Sequence, residues 1–280
     1  MLKINIIQHG MDGVGHQLHG LFSCLILHNI RNYYFDGYAF IKKRFYFQHL
    51  SKVEMDVSKR YMIDIVINFI KKYKIKEKKY NKYIHSHEVY QIPKNTDENI
   101  LYGLDNAYYF DRLDLNEEEN EIHNKNIDIV RELFKSKNLP ECRLNEKNIV
   151  IHIRKGDALI TGRGESLITY EKQIIKLLEV FFKKYNDYTY YIHSDGNIDN
   201  IIEILKLSEK KYFFYDKRSE IMNLISDFIN AKIFVSSNSG LSKVCSFIGN
   251  KELIIINDDN KHSMPKNSYK ISEYLENTNY

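Results

Sequence analysis

The second half of the chain alternates short apolar segments with amphipathic ones, and this regular order constrains the fold more than any other feature. Apolar segments of strand length occupy residues 148–154, 188–193, 211–215, 232–236 and 252–256. Between them, apolar residues recur every three or four positions, which predicts helices at residues 169–185, 198–207, 220–231 and 240–248. Strands that alternate with helices form a parallel sheet with right-handed crossovers. The sequence therefore predicts an α/β domain in this half.

The first half begins in a similar way. Residues 3–8 alternate polar and apolar side chains and predict a strand, and a glycine-rich loop follows at residues 9–15. Residues 16–30 have the apolar period of a helix, and strands are predicted at residues 33–41 and 83–92. Strand, glycine loop, helix and strand form the opening of a doubly wound α/β domain.

The domain boundary is predicted in the middle of the chain. Residues 116–137 predict a helix whose acidic start and basic end suit the helix dipole. The sequence N-L-P at residues 138–140 ends this helix, so we place the boundary within residues 138–147. The two domains expected are residues 1–145 and residues 146–280.

Charged residues follow the strand predicted at residues 148–154. The segment from His152 to Asp157 reads H-I-R-K-G-D. In a parallel sheet the carboxyl end of a buried strand lies at the rim of the ligand cleft. The guanidinium of Arg154 offers a planar fork of donors for phosphate oxygens, and Asp157 can orient that fork or accept bonds from a sugar. An Arg–Asp pair that only locks the strand end is the alternative, but burying so many charged groups is costly.

The glycine-rich loop near the N-terminus is a second candidate. Residues 10–19 read G-M-D-G-V-G-H-Q-L-H. Backbone N–H groups at a loop that opens a helix can hold an anion, which makes Gly13, Gly15 and His16 candidate donor-binding residues. The spacing differs from the dinucleotide fingerprint G-x-G-x-x-G, because the third glycine position falls on Leu18. A glycine-rich structural turn is the alternative.

Two further predicted strand ends carry polar residues. Residues 235–243 read V-S-S-N-S-G-L-S-K, and small hydroxyl residues before a helix can cradle a phosphate or simply cap the helix. Residues 193–196 read H-S-D-G and place Asp195 where it can accept bonds from a base or ribose. The alternative for the second segment is an ordinary turn, because Asp and Gly are common in turns.

Charge and missing motifs narrow the classes of function. The net charge is +4, a mild excess that suits an acidic substrate such as a nucleotide diphosphate better than a nucleic acid. The sequence contains no Asp-x-Asp triplet of the kind that holds a nucleotide sugar through a divalent metal. It also contains no G-x-x-x-x-G-K-[ST], H-E-x-x-H or G-x-S-x-G motif, which leaves kinases, zinc proteases and serine hydrolases without support. We expect no metal and no cofactor.

Taken in order along the chain, these motifs resemble those of the GDP-fucose-dependent fucosyltransferases that form α1,2 and α1,6 linkages, and of the protein O-fucosyltransferases. H-I-R-K-G-D at residues 152–157 resembles their H-x-R-R-x-D motif, and G-V-G-H-Q-L at residues 13–18 resembles their G-x-G-N-Q loop. S-D-G at residues 194–196 resembles their S-D-D turn without its second Asp, and residues 233–249 resemble their late serine segment that enters a helix. The α1,2 group usually has tryptophans in that helix, and this chain has none.

The resemblance implies a fold and a reaction. The fold is the GT-B architecture, an α/β fold in which two Rossmann-like domains face each other across a cleft. The reaction is an inverting, metal-independent transfer of fucose from GDP-fucose to a glycan hydroxyl. Residues 146–280 would hold the nucleotide sugar, and residues 1–145 would help bind the acceptor.

The resemblance also implies roles for individual residues by position. Arg154 would clamp the β-phosphate and act in catalysis, and His152 would lie near the ribose or a phosphate. Asp195 would meet the guanine or the ribose. The other donor-binding residues would be Gly13, Gly15, His16, Ser237, Asn238, Ser239 and Gly240.

An inverting transferase also needs a base that takes the proton of the acceptor hydroxyl. Glu165 ends a glycine-rich loop, residues 162–165, near the position where the α1,6 group carries a catalytic glutamate. Asp157 and Asp12 are alternative bases, and a plain surface role for Glu165 is a further alternative.

Other functions fit parts of the sequence. A GT-B transferase that uses another nucleotide sugar keeps the same motifs, and a non-catalytic protein that binds a sugar nucleotide or a glycan would explain the missing Asp after Asp195. An NAD(P)-dependent oxidoreductase would use the first glycine loop and Asp36, but it leaves the cluster at Arg154 unexplained. Because no signal peptide or apolar span is recognisable, we expect a cytoplasmic protein. The lysine-rich residues 71–82 are expected to be a solvated helix end and loop, and a surface that contacts an anionic partner or the inner membrane is the alternative.

Overall fold

The chain divides into two compact units, Met1–Asn138 and Leu139–Tyr280. The computed structural model describes much of the second unit and four strands of the first. The described residues are 5–9, 34–39, 82–84, 101–104, 139–155, 164–216, 221–237, 239–249, 251–258, 265 and 267–278.

The first unit contains a parallel sheet of four described strands. They are β1 (Asn5–His9), β2 (Tyr34–Ala39), β3 (Lys82–Ile84) and β4 (Leu101–Leu104), in the spatial order β2-β1-β4-β3. Every pairing between neighbouring strands is parallel. The strands predicted at residues 3–8 and 33–41 are confirmed, whereas β4 was not predicted.

The second unit contains a parallel sheet with six described strands. In chain order they are β5 (Asn148–Ile153), β6 (Thr189–Ser194), β7 (Tyr212–Tyr215), β8 (Ile233–Ser236), β9 (Leu253–Ile256) and β10 (Ser268–Lys270). The spatial order is β10-β9-β8-β5-β6-β7, and all pairings are parallel. The strand β5 therefore lies in the middle of the sheet, between β8 and β6.

Five helices of the described residues pack on this sheet, and the first four of them connect successive strands. They are α1 (Gly164–Lys184), α2 (Asp199–Leu207), α3 (Ile221–Asn230), α4 (Gly240–Phe247) and α5 (Ile271–Asn277). Ile149, Ile151 and Ile153 of β5 share a buried cluster with apolar residues of α1, α2 and α5. On the other face of β5, His152 contacts Phe228 of α3. Helices thus cover both faces of a parallel sheet, and the predicted α/β class is confirmed.

One helix boundary was predicted wrongly. We expected the first helix of this unit to begin at Thr169 and Glu165 to lie in a glycine-rich loop, but α1 begins at Gly164 and includes both residues. The apolar period of Tyr170 and Ile174 continues backwards to Leu167, so the sequence can remain helical there. An acidic residue in the first turn is also favourable next to the positive end of the helix dipole.

Candidate functional site

The ends of β5 and β8 are joined by a hydrogen bond between two side chains. Oγ of Ser237, the residue after β8, lies 2.8 Å from Nδ1 of His152 in β5. Both side chains are buried, and the ring of Phe228 lies 4.9 Å from the imidazole of His152, centre to centre. The hydroxyl of Tyr170 in α1 donates to the backbone carbonyl of His152 at 2.9 Å. His152 is therefore held by groups from the strand and both covering layers.

The imidazole of His152 is neutral over the physiological range. Burial is the largest cause that lowers its pKa, and together with the nearby charges of His193 and Arg154 it brings the pKa from about 6.5 to about 3. A neutral ring can bond Ser237 but cannot supply positive charge to a phosphate. Of the residues at this strand end, Arg154 and Lys155 are the ones that carry such charge.

The loops after β5 and β6 are joined directly. The backbone N–H of Lys155 donates to Oδ1 of Asp195 at 2.6 Å. The ammonium of Lys155 lies 2.6 Å from Oε2 of Glu171 and donates to the carbonyl of Asn197 at 2.6 Å. These bonds fix the backbone on the C-terminal side of Arg154, the residue that the resemblance places on the β-phosphate.

Gly196 permits the close approach of these two loops. A Cβ atom on Gly196 would lie 2.6 Å from Cβ of Lys155, which is closer than two side chains tolerate. The position that corresponds to the second Asp of the S-D-D turn therefore has no room for a side chain in this chain.

The serine segment after β8 forms the start of α4. Ser239 is the N-cap, and its hydroxyl oxygen accepts the backbone N–H of Ser242 at 3.2 Å. The carbonyl of Ser237 accepts the N–H of Ser239 at 2.8 Å and the hydroxyl of Ser242 at 2.8 Å. The segment therefore caps the helix, and it also directs the N-terminus of α4, which attracts anions, towards the carboxyl edge of the sheet.

A buried charge network lies beside these strand ends, and the sequence did not predict it. Asp227 of α3 accepts two bonds to Oδ2 from Arg143, at 2.9 Å from Nε and 2.6 Å from Nη2. Nε2 of His193, in β6, lies 3.0 Å from the same oxygen, but neither ring nitrogen of His193 makes an aligned hydrogen bond. The guanidinium of Arg143 also stacks 3.7 Å over the ring of Tyr215.

This network was missed because its members are far apart in the sequence. Arg143 precedes β5, His193 lies in β6 and Asp227 lies in α3, so no local spacing links them. One signal was present, because Asp227 is the one charged residue in the sequence of α3, and an acidic residue on a buried face needs a partner. Asp227 is 1% exposed.

The described residues bring one part of the predicted site together. His152, Arg154, Asp195, Ser237, Ser239 and Gly240 all lie at the carboxyl ends of β5, β6 and β8. The backbone of Glu165 lies in the first turn of α1. The other candidate residues lie outside the described residues and are Asp12, Gly13, Gly15, His16, Asp157 and Asn238.

Two features are absent from the described part of the chain, a metal-binding cluster and a membrane-spanning helix. Within the described ranges, no three His, Cys, Asp or Glu side chains converge on a point that could hold a metal ion. No helix in those ranges combines the length and apolar character needed to cross a membrane.

Comparison with known proteins gives weak likenesses to solved structures. No family model and no curated protein sequence matches the chain. POFUT1 in complex with GDP is 12% identical, with 96% of this chain and 98% of that chain covered and a TM-score of 0.46. An Arabidopsis thaliana FUT1 mutant in complex with GDP is 9% identical over 95% and 71% of the two chains, with a TM-score of 0.49. The E. coli heptosyltransferase WaaC is 11% identical over 98% and 99%, with a TM-score of 0.45.

Proposed function

We propose that this chain is a GT-B-type glycosyltransferase that moves fucose from GDP-fucose to a glycan hydroxyl, with inversion and without a metal ion. The observation that carries the proposal is the convergence of three motif segments at one sheet edge. The segment of Arg154 follows β5, that of Asp195 follows β6 and that of Ser237 follows β8, and direct hydrogen bonds join the three. The carboxyl edge of a parallel sheet is where such folds bind nucleotides.

The positive charge that stabilises the leaving diphosphate is assigned to the guanidinium of Arg154. A guanidinium can bond two phosphate oxygens at once, and negative charge grows on GDP as the bond to the sugar breaks. The neighbouring bonds of Lys155 to Asp195, Glu171 and Asn197 hold the backbone from which Arg154 extends. A fixed donor of this kind can stabilise the leaving group in the place of a metal ion.

The phosphates would also be bound by the start of α4. The N–H groups of the first helical turn are directed to the same edge, and Ser239 and Ser242 set the turn through their mutual bonds. His152 would act through Ser237, because its neutral ring fixes the Ser237 hydroxyl at the strand end.

The base that receives the acceptor proton is assigned to Glu165. Its backbone lies in the first turn of α1, and the adjacent turn is bonded to the strand end through Tyr170 and Glu171. Asp157 is the second candidate, since it follows the same strand end in the sequence.

A binding protein without turnover is a second candidate function. Gly196 stands where the resemblance has a second Asp, and the contact that its Cβ would make with Lys155 leaves no room for that carboxylate. If the missing carboxylate served the reaction, this chain would bind the sugar nucleotide without transferring the sugar.

The test titrates the full chain with GDP, UDP and NAD by calorimetry and then measures hydrolysis of GDP-fucose with and without excess EDTA. The proposal predicts that GDP binds most tightly and that hydrolysis of GDP-fucose proceeds equally with the chelator. Tighter binding of UDP would indicate a transferase that uses another nucleotide sugar, and tighter binding of NAD would indicate an oxidoreductase. GDP binding without hydrolysis or transfer would assign the binding protein.

A further inference from the structure

A cavity of about 390 Å³ opens at the edge of the second sheet that lies opposite the candidate site. It lies beside Ile233 and Leu253, the first residues of β8 and β9, whereas the candidate site lies at the last residues of the strands. The volume is within the range of about 300–1,000 Å³ that is usual for small-molecule sites. No motif of the sequence and no part of the proposed function uses this cavity.

Three tyrosines form much of its wall. Tyr185 follows α1, Tyr269 lies in β10 and Tyr274 lies in α5. The rings of Tyr269 and Tyr274 are 6.1 Å apart, centre to centre, and Tyr269 is 39% exposed. Tyrosine combines an apolar ring face with a polar hydroxyl, so such a wall suits a ligand that has both apolar and polar faces.

A cationic ligand would bind next to the faces of the tyrosine rings, and the ammonium of Lys184 already occupies that position. The ammonium of Lys184 lies 5.5 Å from the ring centre of Tyr185 and 5.4 Å from that of Tyr274, within cation–π distance of both. The same ammonium donates a hydrogen bond to the hydroxyl of Tyr274 at 3.3 Å. A second cation would meet this charge at close range.

The rim carries both signs of charge. Lys184 lines one side and Glu252 lines another, and Glu252 pairs with Lys232 at 3.1 Å. Asn277 adds an amide, which both donates and accepts. Burial raises the pKa of Tyr185 to about 12, so its hydroxyl stays neutral near pH 7. A ligand with a net charge of either sign meets one unfavourable rim group, whereas neutral hydroxyl groups can bond to all of them.

We propose that this cavity binds a neutral saccharide of one or two rings, with an apolar face of the sugar against Tyr269 and hydroxyl groups bonded to Lys184, Glu252 and Asn277. Sugar rings have the required combination of C–H faces and hydroxyl edges. The inference rests on the cavity alone and does not require that the chain be a transferase.

The test uses saturation-transfer NMR on the full chain with L-fucose, D-galactose, N-acetyl-D-glucosamine, lactose and D-glucuronate, each with and without saturating GDP. The variants are Tyr269→Ala and Asn277→Ala. The control is Phe214→Ala, which removes an aromatic ring of β7 that is 41% exposed and lies outside the cavity. Thermal unfolding of each variant checks that it is folded.

We expect at least one neutral sugar to bind, with a Kd that rises about 2- to 12-fold in Tyr269→Ala, as the loss of one aromatic contact predicts. Binding should weaken in Asn277→Ala and stay unchanged in Phe214→Ala and in the presence of GDP. Absence of binding by every neutral sugar would overturn the proposal. So would tighter binding of glucuronate, equal binding by a folded Tyr269→Ala protein, or loss of binding on addition of GDP.

This design separates the cavity from the candidate site. Failure of GDP to bind would count against the proposed function and leave the sugar result intact. If GDP displaced a bound sugar, that sugar would lie at the candidate site, at the other edge of the sheet. The cavity would then no longer be assigned as a saccharide site.

Discussion

Oγ of Ser237 and Nδ1 of His152 lie 2.8 Å apart and join the ends of two neighbouring strands inside the protein. The bond has two consequences, because it positions a hydroxyl at the candidate site and satisfies a buried ring nitrogen. Ser237→Ala leaves that nitrogen without its partner, which should lower the free energy of unfolding by about 1–3 kcal/mol. Urea denaturation measures the loss.

A matched control for this variant is Ser272→Ala. Ser272 is exposed, and its backbone N–H bonds Asp258, so the variant keeps that contact. We expect its stability to stay within about 0.5 kcal/mol of the unchanged protein, as is usual for surface substitutions. Equal stability of Ser237→Ala and Ser272→Ala would show that the bond contributes nothing measurable.

A second prediction concerns Gly196 and the loops that it brings together. In Gly196→Ala the new Cβ would lie 2.6 Å from Cβ of Lys155, so the loops after β5 and β6 must separate. Crowding of this kind typically costs about 1–3 kcal/mol of stability. If the loops hold Arg154 for the diphosphate, calorimetry should show weaker GDP binding in the folded variant.

Gly249→Ala provides the comparison. Gly249 has a φ of 89°, and a Cβ there would collide with the carbonyl of Ile229, so this variant should also lose stability. Gly249 lies beyond the C-terminal end of α4, while the candidate site lies at its N-terminal end. GDP affinity should therefore fall in Gly196→Ala only. An equal fall in both would attribute the effect to general instability.

Whether a strand or helix of this structure can be predicted from the sequence depends on how much of that element is buried. The strands β5, β6 and β8 are buried along their whole length, so their apolar runs are continuous and easily recognised. In contrast, β10 and α5 were not predicted, because β10 has three residues and α5 buries only Ile271 and Tyr274. Short elements that depend on tertiary contacts leave little pattern in the sequence.

Part of the candidate site could likewise be predicted from the sequence, and part could not. His152, Asp195 and Ser237 were predicted because each stands at a strand end, and parallel strands bring such ends to one edge. The network of Arg143, Asp227 and His193 depends on contacts between distant segments, which only the folded chain reveals.

A third prediction concerns the stability of the fold at acidic pH. Burial lowers the pKa of His152 to about 3 and also lowers that of His193, although Asp227 opposes the second shift. Unfolding exposes both rings, whose pKa then returns to about 6.5, so the unfolded chain binds more protons below that pH. Stability should therefore be full above pH 6.5 and should fall as the pH decreases towards 3.

The contribution of His152 can be separated by substitution. Urea denaturation between pH 7 and 4.5 should show a contribution from His152 of roughly 1.4 kcal/mol per pH unit to the slope below pH 6. His152→Asn removes one titrating ring, so its slope should be smaller by about that amount. An unchanged slope would mean that His152 titrates alike in the folded and unfolded chains.

A fourth prediction concerns the acceptor base. Glu165→Gln removes the proton acceptor and keeps the shape of the side chain, so transfer should slow by about 10²–10⁴-fold while GDP affinity stays unchanged. The measurement compares kcat for fucosyl transfer with GDP affinity from calorimetry. A near-normal kcat would assign the role of the base to Asp157 instead. Asp157→Asn would then be the next variant to measure.

The last prediction concerns Arg154, on which the proposed mechanism depends most. If its guanidinium bonds the β-phosphate, Arg154→Ala should weaken GDP binding by about 10- to 150-fold, which corresponds to about 1.5–3 kcal/mol for a bond to a charged group. Charge grows on GDP in the transition state, so kcat/KM should fall further than GDP affinity does. Arg154→Lys should restore little, because an ammonium cannot bond two oxygens in the same planar geometry.

Lys210→Ala is the control for loss of charge alone. Lys210 is a basic residue before β7 whose ammonium bonds the carbonyl of Asn186, at the edge opposite the candidate site. Lys210→Ala should bind GDP as the unchanged protein does, since one half-buried surface charge at the opposite edge of the sheet is largely screened at physiological salt. If Arg154 has only a structural role, Arg154→Ala should have a lower melting temperature but unchanged GDP affinity and unchanged turnover per folded molecule. That result would remove Arg154 from the mechanism, and with it the main support for transfer from a nucleotide diphosphate.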